Sequence, residues 1–230
     1  MRRLAHRLRR PMRRLLSLLL TPLRGAPADA LSDPSTIRQL GFAIESRLIR
    51  GGGHPQWLRD VMTRDTGAVF DDLDPTGLSA VEISGDNWRR LPWRQYGQLW
   101  FPAFDLCAPG EPPGPYDVVI CEQVLEHVPD PVAAVRTLRS LCTTSGYVFV
   151  STPFLVRLHD FPADYWRFTP AGLERLLRSA GLTPLWVRSW GNRQAVGANF
   201  DRWVARFPWQ SLENEPDLPA VVWSLSQPTR

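Results

Sequence analysis

Apolar positions in this chain fall into short runs that alternate with helical repeats from Leu78 onward, and that alternation sets the expected architecture. Tyr116 to Cys121 (YDVVIC) is a nearly continuous β-branched run entered from Pro112, Pro113, Gly114 and Pro115, the pattern of a buried central strand launched from a loop. Leu78 to Ser84 (LSAVEIS), Gln98 to Phe101, Gly146 to Ser151 (GYVFVS), Leu185 to Ser189 and Ala220 to Leu225 supply the other expected strands, with Phe104 to Cys107 a short extension of the second. Between them, Val132, Val135, Leu138 and Leu141 keep helical spacing over Pro131 to Cys142, behind Asp130. Pro170 opens a further helix over Ala171 to Ala180, Gly181 closes it, and Asn192 to Phe207 forms another. Strands and helices in this order predict an α/β fold with a mostly parallel sheet.

Ligands of open α/β sheets bind at the carboxyl edge of the strands. Polar residues arrive abruptly at that edge here: Cys121, Glu122 and Gln123 end the central run, Glu126 and His127 follow, and Thr152-Pro153-Phe154 end the next strand. Between His159 and Thr169 the chain packs His159, Asp160, Asp164, Tyr165, Trp166 and Arg167 into one loop, a density that suits a substrate lid better than a plain connection.

Upstream, Ser35 to Ile49 has helical spacing and is closed by Gly51-Gly52-Gly53, and Pro55 to Phe70 reads as a second leading helix. The expected domains are residues 1–34, a basic arm and linker, and residues 35–230, a single domain with leading helices at 35–70 and its core at 78–230. The 230 residues suit one full-sized core, and 43% hydrophobic content with ten Trp excludes a disordered chain.

Charge is unevenly placed. All 27 basic residues are arginine, and eight of them lie within Met1 to Arg24, where no acid occurs; the rest of the chain carries 19 Arg against 23 acids. Leu4, Leu8, Met12, Leu15, Leu19 and Leu23 would share a helical face in this arm, and Pro11 divides it into two short helices. Three readings compete: an amphipathic segment on an anionic membrane surface, a disordered or partner-docking tail, and a nucleic-acid arm. The first is the leading expectation, and nucleic acid is not expected as a partner. Leu15 to Leu20 is too short and too interrupted for a secretory signal or a membrane span. Cys107, Cys121 and Cys142 show no C-x-x-C spacing, so a disulfide scaffold is not expected and a reducing, cytoplasmic setting fits.

Three segments, Asp117 to Pro131 (DVVICEQVLEHVPDP), Gly146 to Phe154 and His159 to Gly181, with a weaker match at Val81 to Gly85, resemble the class I S-adenosylmethionine-dependent methyltransferases, particularly the type 11 group. The resemblance implies a Rossmann-like sandwich, mostly parallel with an antiparallel last strand, and S-adenosylmethionine as cofactor. It also implies leading helices that cap the substrate side. Where a family member fits a helix, a strand, a helix and a strand, this chain has only Gly85 to Pro115, so one helix or the third strand is expected to be reduced or absent. The family's first turn carries alternating glycines; here Glu82 and Gly85 are kept, with Ser84, Asp86 and Asn87 beside them.

The resulting donor contacts are Glu82, Ser84, Gly85, Asp105, Glu122 and Gln123, whose plainer reading is ordinary strand-end polar residues. Methyl transfer is an in-line displacement dominated by positioning, and a base helps only when the acceptor must lose a proton, as a hydroxyl must. His159 and His127 are the candidates for that base, against a solvated loop histidine and a structural cap. Asp164, Tyr165, Trp166 and Arg167 are the candidates for shaping the acceptor pocket; alternatively Trp166 packs the lid and Arg167 pairs with Asp164. Some ubiquinone-type relatives hold a metal on a Glu-x-x-Glu-His turn; Gln123 replaces the first glutamate here, so no metal is expected. The expected activity is methylation of a small-molecule or glycan-type acceptor, at a hydroxyl, by a cytoplasmic protein at the inner membrane face. The alternative is an inactive module of the same fold that binds or assembles at the membrane surface.

Overall fold

A computed structural model of the chain describes residues 57–111, 113–159, 163–200 and 210–229. The expected arm at 1–34 and the helix at Ser35 to Ile49 lie outside these residues. The chain divides after Pro55, and the second compact unit, Gln56–Arg230, is built on one six-stranded sheet.

Its strands are β1 (Ser79–Ile83), β2 (Gln95–Leu99), β3 (Tyr116–Glu122), β4 (Cys142–Pro153), β5 (Leu182–Trp190) and β6 (Val221–Pro228), in the order β2-β1-β3-β4-β6-β5. Neighbours from β2 to β4 are parallel, and β6 is antiparallel to both β4 and β5, as expected of the last strand. The helices are α1 (Asp60–Asp72), α2 (Pro131–Ser140), α3 (Pro170–Ser179) and α4 (Arg193–Asn199).

Successive residues of a strand point to opposite faces, and the core divides accordingly. Val81, Ile83, Val119, Cys121, Val148 and Val150 face a cluster shared with Ala134, Val135 and Leu138 of α2 and Leu173 and Leu177 of α3. Ala80, Val118, Ile120 and Phe149 face the other cluster, with Met62 and Phe70 of α1. Both helices of the first face start as their sequences require. Asp130 accepts from Val132 N and Ala133 N at 3.0 Å each, Thr169 accepts from Gly172 N at 3.0 Å, and a proline occupies each first turn.

The reduction is larger than expected: among the described residues, both a helix between β1 and β2 and a strand between β2 and β3 are missing. Asn87 to Arg90 form only a turn, since Pro92 disfavours a helix just before it. Two indoles fill the space a helix would take. Trp88 and Trp93 are buried, Phe70 meets both edge-on at 4.8 and 5.6 Å, and Trp93 Nε1 donates to Trp88 O at 2.9 Å.

Several boundaries differ from the sequence reading. β2 spans Gln95–Leu99 rather than Gln98 to Phe101, because its pairing with β1 runs Ser79–Ile83 against Gln95–Leu99 and Pro102 cannot continue a ladder. Phe104 to Cys107 is a bend and turn, not an extension. The second leading helix starts as a 3-10 turn at Trp57–Arg59 and continues as α1 to Asp72. β4 begins four residues before Gly146, at Cys142 opposite Tyr116. α4 ends at Asn199, and residues 201–207 of its expected span are not described.

Candidate active site

The carboxyl edge of β1, β3 and β4 carries two adjoining regions. Over β3 and β4 lies a cavity of about 200 Å³ bordered by Arg59, Gln123, Glu126, His127, Val156 and His159. Gln123 turns the chain as it leaves β3, with φ of 56°, and its amide donates to Ser151 Oγ at 3.1 Å. The 3-10 turn Leu125–His127 then brings Glu126 back beneath the edge. That carboxylate is fully buried, and neither of its oxygens has a hydrogen-bond partner among the described residues. Burial pushes its pKa up to about 8, against a weaker pull from its own backbone and from Arg167.

Two imidazoles face it. His127 Nε2 lies 3.7 Å and His159 Nε2 3.9 Å from Glu126 Oε1, and the rings meet edge-on at 5.0 Å. His127 Nδ1 is 2.6 Å from Ala163 O and donates to it, which leaves Nε2 as the acceptor. His159 Nδ1 is 3.2 Å from Asp164 Oδ2. Burial lowers the pKa of His159, and Asp164 opposes that effect. One ligand-type atom from each of Glu126, His127 and His159 falls within 4.8 Å of the others, close enough for one cation to bridge them. The sequence reading weighed a metal on a single turn and expected none; the third group here comes from the lid.

The lid is sewn to this turn. Tyr165 N and Trp166 N donate to Glu126 O at 2.7 and 3.3 Å, and Trp166 Nε1 donates to Val128 O at 2.8 Å. Tyr165 and Trp166 are exposed, at 55% and 39%, whereas Asp164 and Arg167 pair with each other through both carboxylate oxygens. Of the four expected acceptor contacts, two are therefore exposed to solvent and do not border the cavity, and two form an internal ion pair.

The second region lies over β1 and β2. Ser84 adopts a left-handed φ of 51°, its N–H donates to Leu99 O at 2.8 Å, and Gly85 O accepts from Gln98 Nε2 at 2.8 Å. Beside this turn, Trp100 and Phe101 are exposed at 48% and 56%. Glu82 and Glu122 turn inward. Glu82 is fully buried and accepts from Asn87 N and Trp88 N at 3.0 Å each and from Tyr96 OH at 2.6 Å. Burial raises its pKa, with those bonds opposing. Glu122 accepts from Trp88 Nε1 at 2.7 Å and Asn87 Nδ2 at 3.2 Å and is ion-paired with Arg59. Asp105 Oδ1 accepts from Cys107 N at 2.8 Å and caps a local turn. Ser84, Gly85 and Gln123 thus share the open edge, while the three nominated acids are engaged in holding the protein's own loops.

Residues 4–187 match the family described as "Methyltransferase domain". The chain belongs to that family. It is similar to the ubiquinone biosynthesis O-methyltransferase of Acinetobacter baumannii (strain ACICU), 29% identical over 160 residues, which covers 62% of this chain and 60% of the relative. It is also similar to the enzyme of the same description from Bordetella pertussis, 51% identical over 77 residues, 34% of this chain and 29% of that one. The chain therefore spans less than two thirds of the length of these relatives. Among solved structures, a Burkholderia thailandensis 1,6-didemethyltoxoflavin-N1-methyltransferase with bound S-adenosylhomocysteine is 13% identical, with a TM-score of 0.49 over 89% of this chain and 93% of that one. The [4+2]-cyclase SpnF is 15% identical, with a TM-score of 0.48 over 93% of this chain and 94% of that one. The chain is thus a member of the class I S-adenosylmethionine-dependent methyltransferases, the family its sequence resembles.

Three groups at the site escaped sequence reading. Glu126 was visible in its motif, but only burial without a hydrogen-bond partner among the described residues marks it out. Arg59 carries no motif signal, since its partner lies on a distant strand. Trp100 and Phe101 could have been noticed as a Trp-Phe pair just past a strand at the ligand edge.

Proposed function

We propose that this protein transfers the methyl group of S-adenosylmethionine to a hydroxyl of a small-molecule or glycan-type acceptor whose reacting head sits in the cavity over β3 and β4. The observation that carries the proposal is the pair of imidazoles, His127 and His159, that meet beside the buried Glu126 carboxyl. Such a proton-accepting cluster is needed only where the acceptor must be deprotonated. The name of the A. baumannii relative, an O-methyltransferase of ubiquinone biosynthesis, supports a hydroxyl acceptor. A cavity of about 200 Å³ is smaller than the ~300–1,000 Å³ of a whole-ligand pocket, so it takes one head group.

The edge over β1 and β2 fits the donor. Small residues at Ser84 and Gly85 let a ligand approach the backbone, and Trp100 and Phe101 offer exposed rings to a purine. Arg59, bordering the cavity, brings a cation within reach of a ligand carboxylate. Glu82 and Glu122 act indirectly here, by fixing the loop that Asn87 and Trp88 belong to. When bound, the donor supplies an electrophilic methyl on a sulfonium. His159 Nε2 takes the hydroxyl proton, and the Asp164 carboxylate beside Nδ1 stabilises the imidazolium. His127 is the second candidate for the same role. The lid keeps water from the nucleophile.

Calorimetric titration with S-adenosylmethionine and S-adenosylhomocysteine, followed by mass-spectrometric turnover of catechol and sugar acceptors, tests this reading. Micromolar donor binding lost in Gly85→Trp, and methyl transfer lost in His159→Gln, are expected. Absence of donor binding by the folded protein would instead support a non-catalytic module, a reading favoured by the internal engagement of Glu82 and Glu122. Contact of Met1 to Arg24 with an anionic membrane, at the inner face, rests on the sequence of the arm. Liposome sedimentation with and without those residues tests it. Among the described residues no helix is long and apolar enough to cross a membrane.

A further inference from the structure

Arg167 spends all five of its N–H donors on one short stretch of chain. Nε donates to Val156 O at 3.3 Å, Nη1 to Trp166 O at 2.9 Å and to Asp164 Oδ1, and Nη2 to Arg157 O at 2.9 Å and Asp164 Oδ2 at 2.6 Å. Two of those acceptors are the groups that face His159 Nδ1: Asp164 Oδ2 at 3.2 Å and Arg157 O at 3.4 Å. The backbone N–H of His159 also donates to Asp164 Oδ2, at 2.9 Å.

We infer that Arg167 is the positioning residue of this site: by carrying both acceptors of His159 Nδ1 on one guanidinium, it fixes the tautomer and orientation of the imidazole. This rests on the proposed role of His159 in methyl transfer. The chemistry is direct. A carbonyl oxygen and an ionised carboxylate have only lone pairs to offer, so the ring nitrogen between them must bear the proton. Nε2 is then the bare nitrogen, and it is the one turned toward Glu126 Oε1. The opposite tautomer would set the Nδ1 lone pair against two acceptors and place a proton where the hydroxyl proton has to go. Asp164 has no side-chain exposure; burial alone would favour its neutral form, but the bonds from Arg167 and from the His159 N–H outweigh it and hold its pKa below the usual carboxylate range. Lysine cannot substitute: it has three donors on one point charge and no planar fork to span a carboxylate and three carbonyls.

Asp164 and Arg167, nominated from sequence as acceptor contacts, are thereby assigned a different duty. They act on the acceptor only through His159, and their identity is a requirement of lid geometry rather than of acceptor shape. The spacing fits: His159, Asp164 and Arg167 lie within nine residues of one loop, so the three can be set by local folding alone.

The test is long-range proton–nitrogen correlation NMR of the full chain labelled at histidine nitrogen, with the His159 resonance assigned by its loss in His159→Gln. In the wild-type protein, above the pH range of histidine titration, His159 is expected as the Nδ1–H tautomer. A wild-type Nε2–H tautomer overturns the inference without any further variant. Arg167→Lys, checked for an unchanged melting temperature and unchanged donor affinity, is expected to show mixed tautomers and a kcat lowered about 10²-fold, with KM for the donor unaltered. If Arg167→Lys keeps a pure Nδ1–H signal and wild-type kcat, the fork is not the determinant and the inference fails. Because the tautomer is read without turnover, a correct tautomer in a protein that methylates nothing would refute the proposed function while leaving this assignment standing.

Discussion

Replacing Glu126 by glutamine removes an ionisable group while keeping its volume, and the consequence for stability can be worked from its surroundings. The carboxyl is fully buried, and burial raises its pKa from an ordinary 4.5 to about 8. Between those values the folded chain keeps a proton that the unfolded chain releases. Stability should thus be highest below pH 4.5 as far as this group is concerned, and should fall as pH rises through about 8. The slope is about 1.4 kcal/mol per pH unit, which accumulates to at most about 5 kcal/mol across the window. Water entering as the lid loosens would reduce that figure. Glu126→Gln lacks this dependence. Urea denaturation of both proteins at intervals from pH 5 to pH 9 should give curves that converge at the acid end, with the variant the more stable by several kcal/mol at the alkaline end. Parallel curves over the whole range would refute the claim that the Glu126 carboxyl is desolvated in the folded protein.

Glu82→Ala should remove the acceptor of a buried N–H, a part-buried N–H and one hydroxyl; at about 1–3 kcal/mol for each unsatisfied buried group, unfolding by urea should show a loss of a few kcal/mol. Glu82→Gln, which keeps acceptor oxygen, should lose distinctly less. Gly85→Ala would place a Cβ 2.5 Å from Glu82 Oε1, a carboxylate pinned by those same three bonds, so a cost of about 1–3 kcal/mol is expected in thermal melts. Gly191→Ala meets backbone instead, with a Cβ only 2.0 Å from Leu218 O; it should cost more than Gly85→Ala, and a smaller loss would contradict the packing between β5 and β6. Trp100→Ala should leave the melting temperature nearly unchanged, because the ring is half exposed, and should weaken calorimetric donor binding by roughly 1 kcal/mol.

The sheet was legible because its signals are local. The run from Tyr116 to Cys121 and the Pro-capped helices behind Asp130 and Thr169 reappear within a few residues of where periodicity placed them. The stretch between β1 and β3 was read correctly as too short for its usual elements, but nothing in the order of residues said that Trp88 and Trp93 would occupy the gap. Packing of that kind depends on Phe70, which lies on α1 and meets them only in three dimensions. The site shows the same division. Positions near the edge could be nominated from strand ends, yet the direction of a side chain is settled by its partners. Glu82 and Glu122 share an edge with Ser84 and Gly85 and face away from it, because Trp88, Asn87, Tyr96 and Arg59 offer donors inside. Glu126 was the inverse case, a motif residue with no role assigned until its lack of partners was visible.

The place of β6 in the sheet has a consequence for the chain as it is made. Val221–Pro228 follows the other five described strands in sequence, and it lies between β4 and β5 rather than at an edge. Until it emerges, β4 has one open side and, among the described residues, β5 has no strand to pair with, since its ladder is made with β6. The nascent protein must hold an apolar sheet edge in waiting while Val221–Pro228 is still being added, which is the condition under which edges pair wrongly. A product cut short before Val221 would lack the keystone of its sheet and present itself to proteases and chaperones as unfinished.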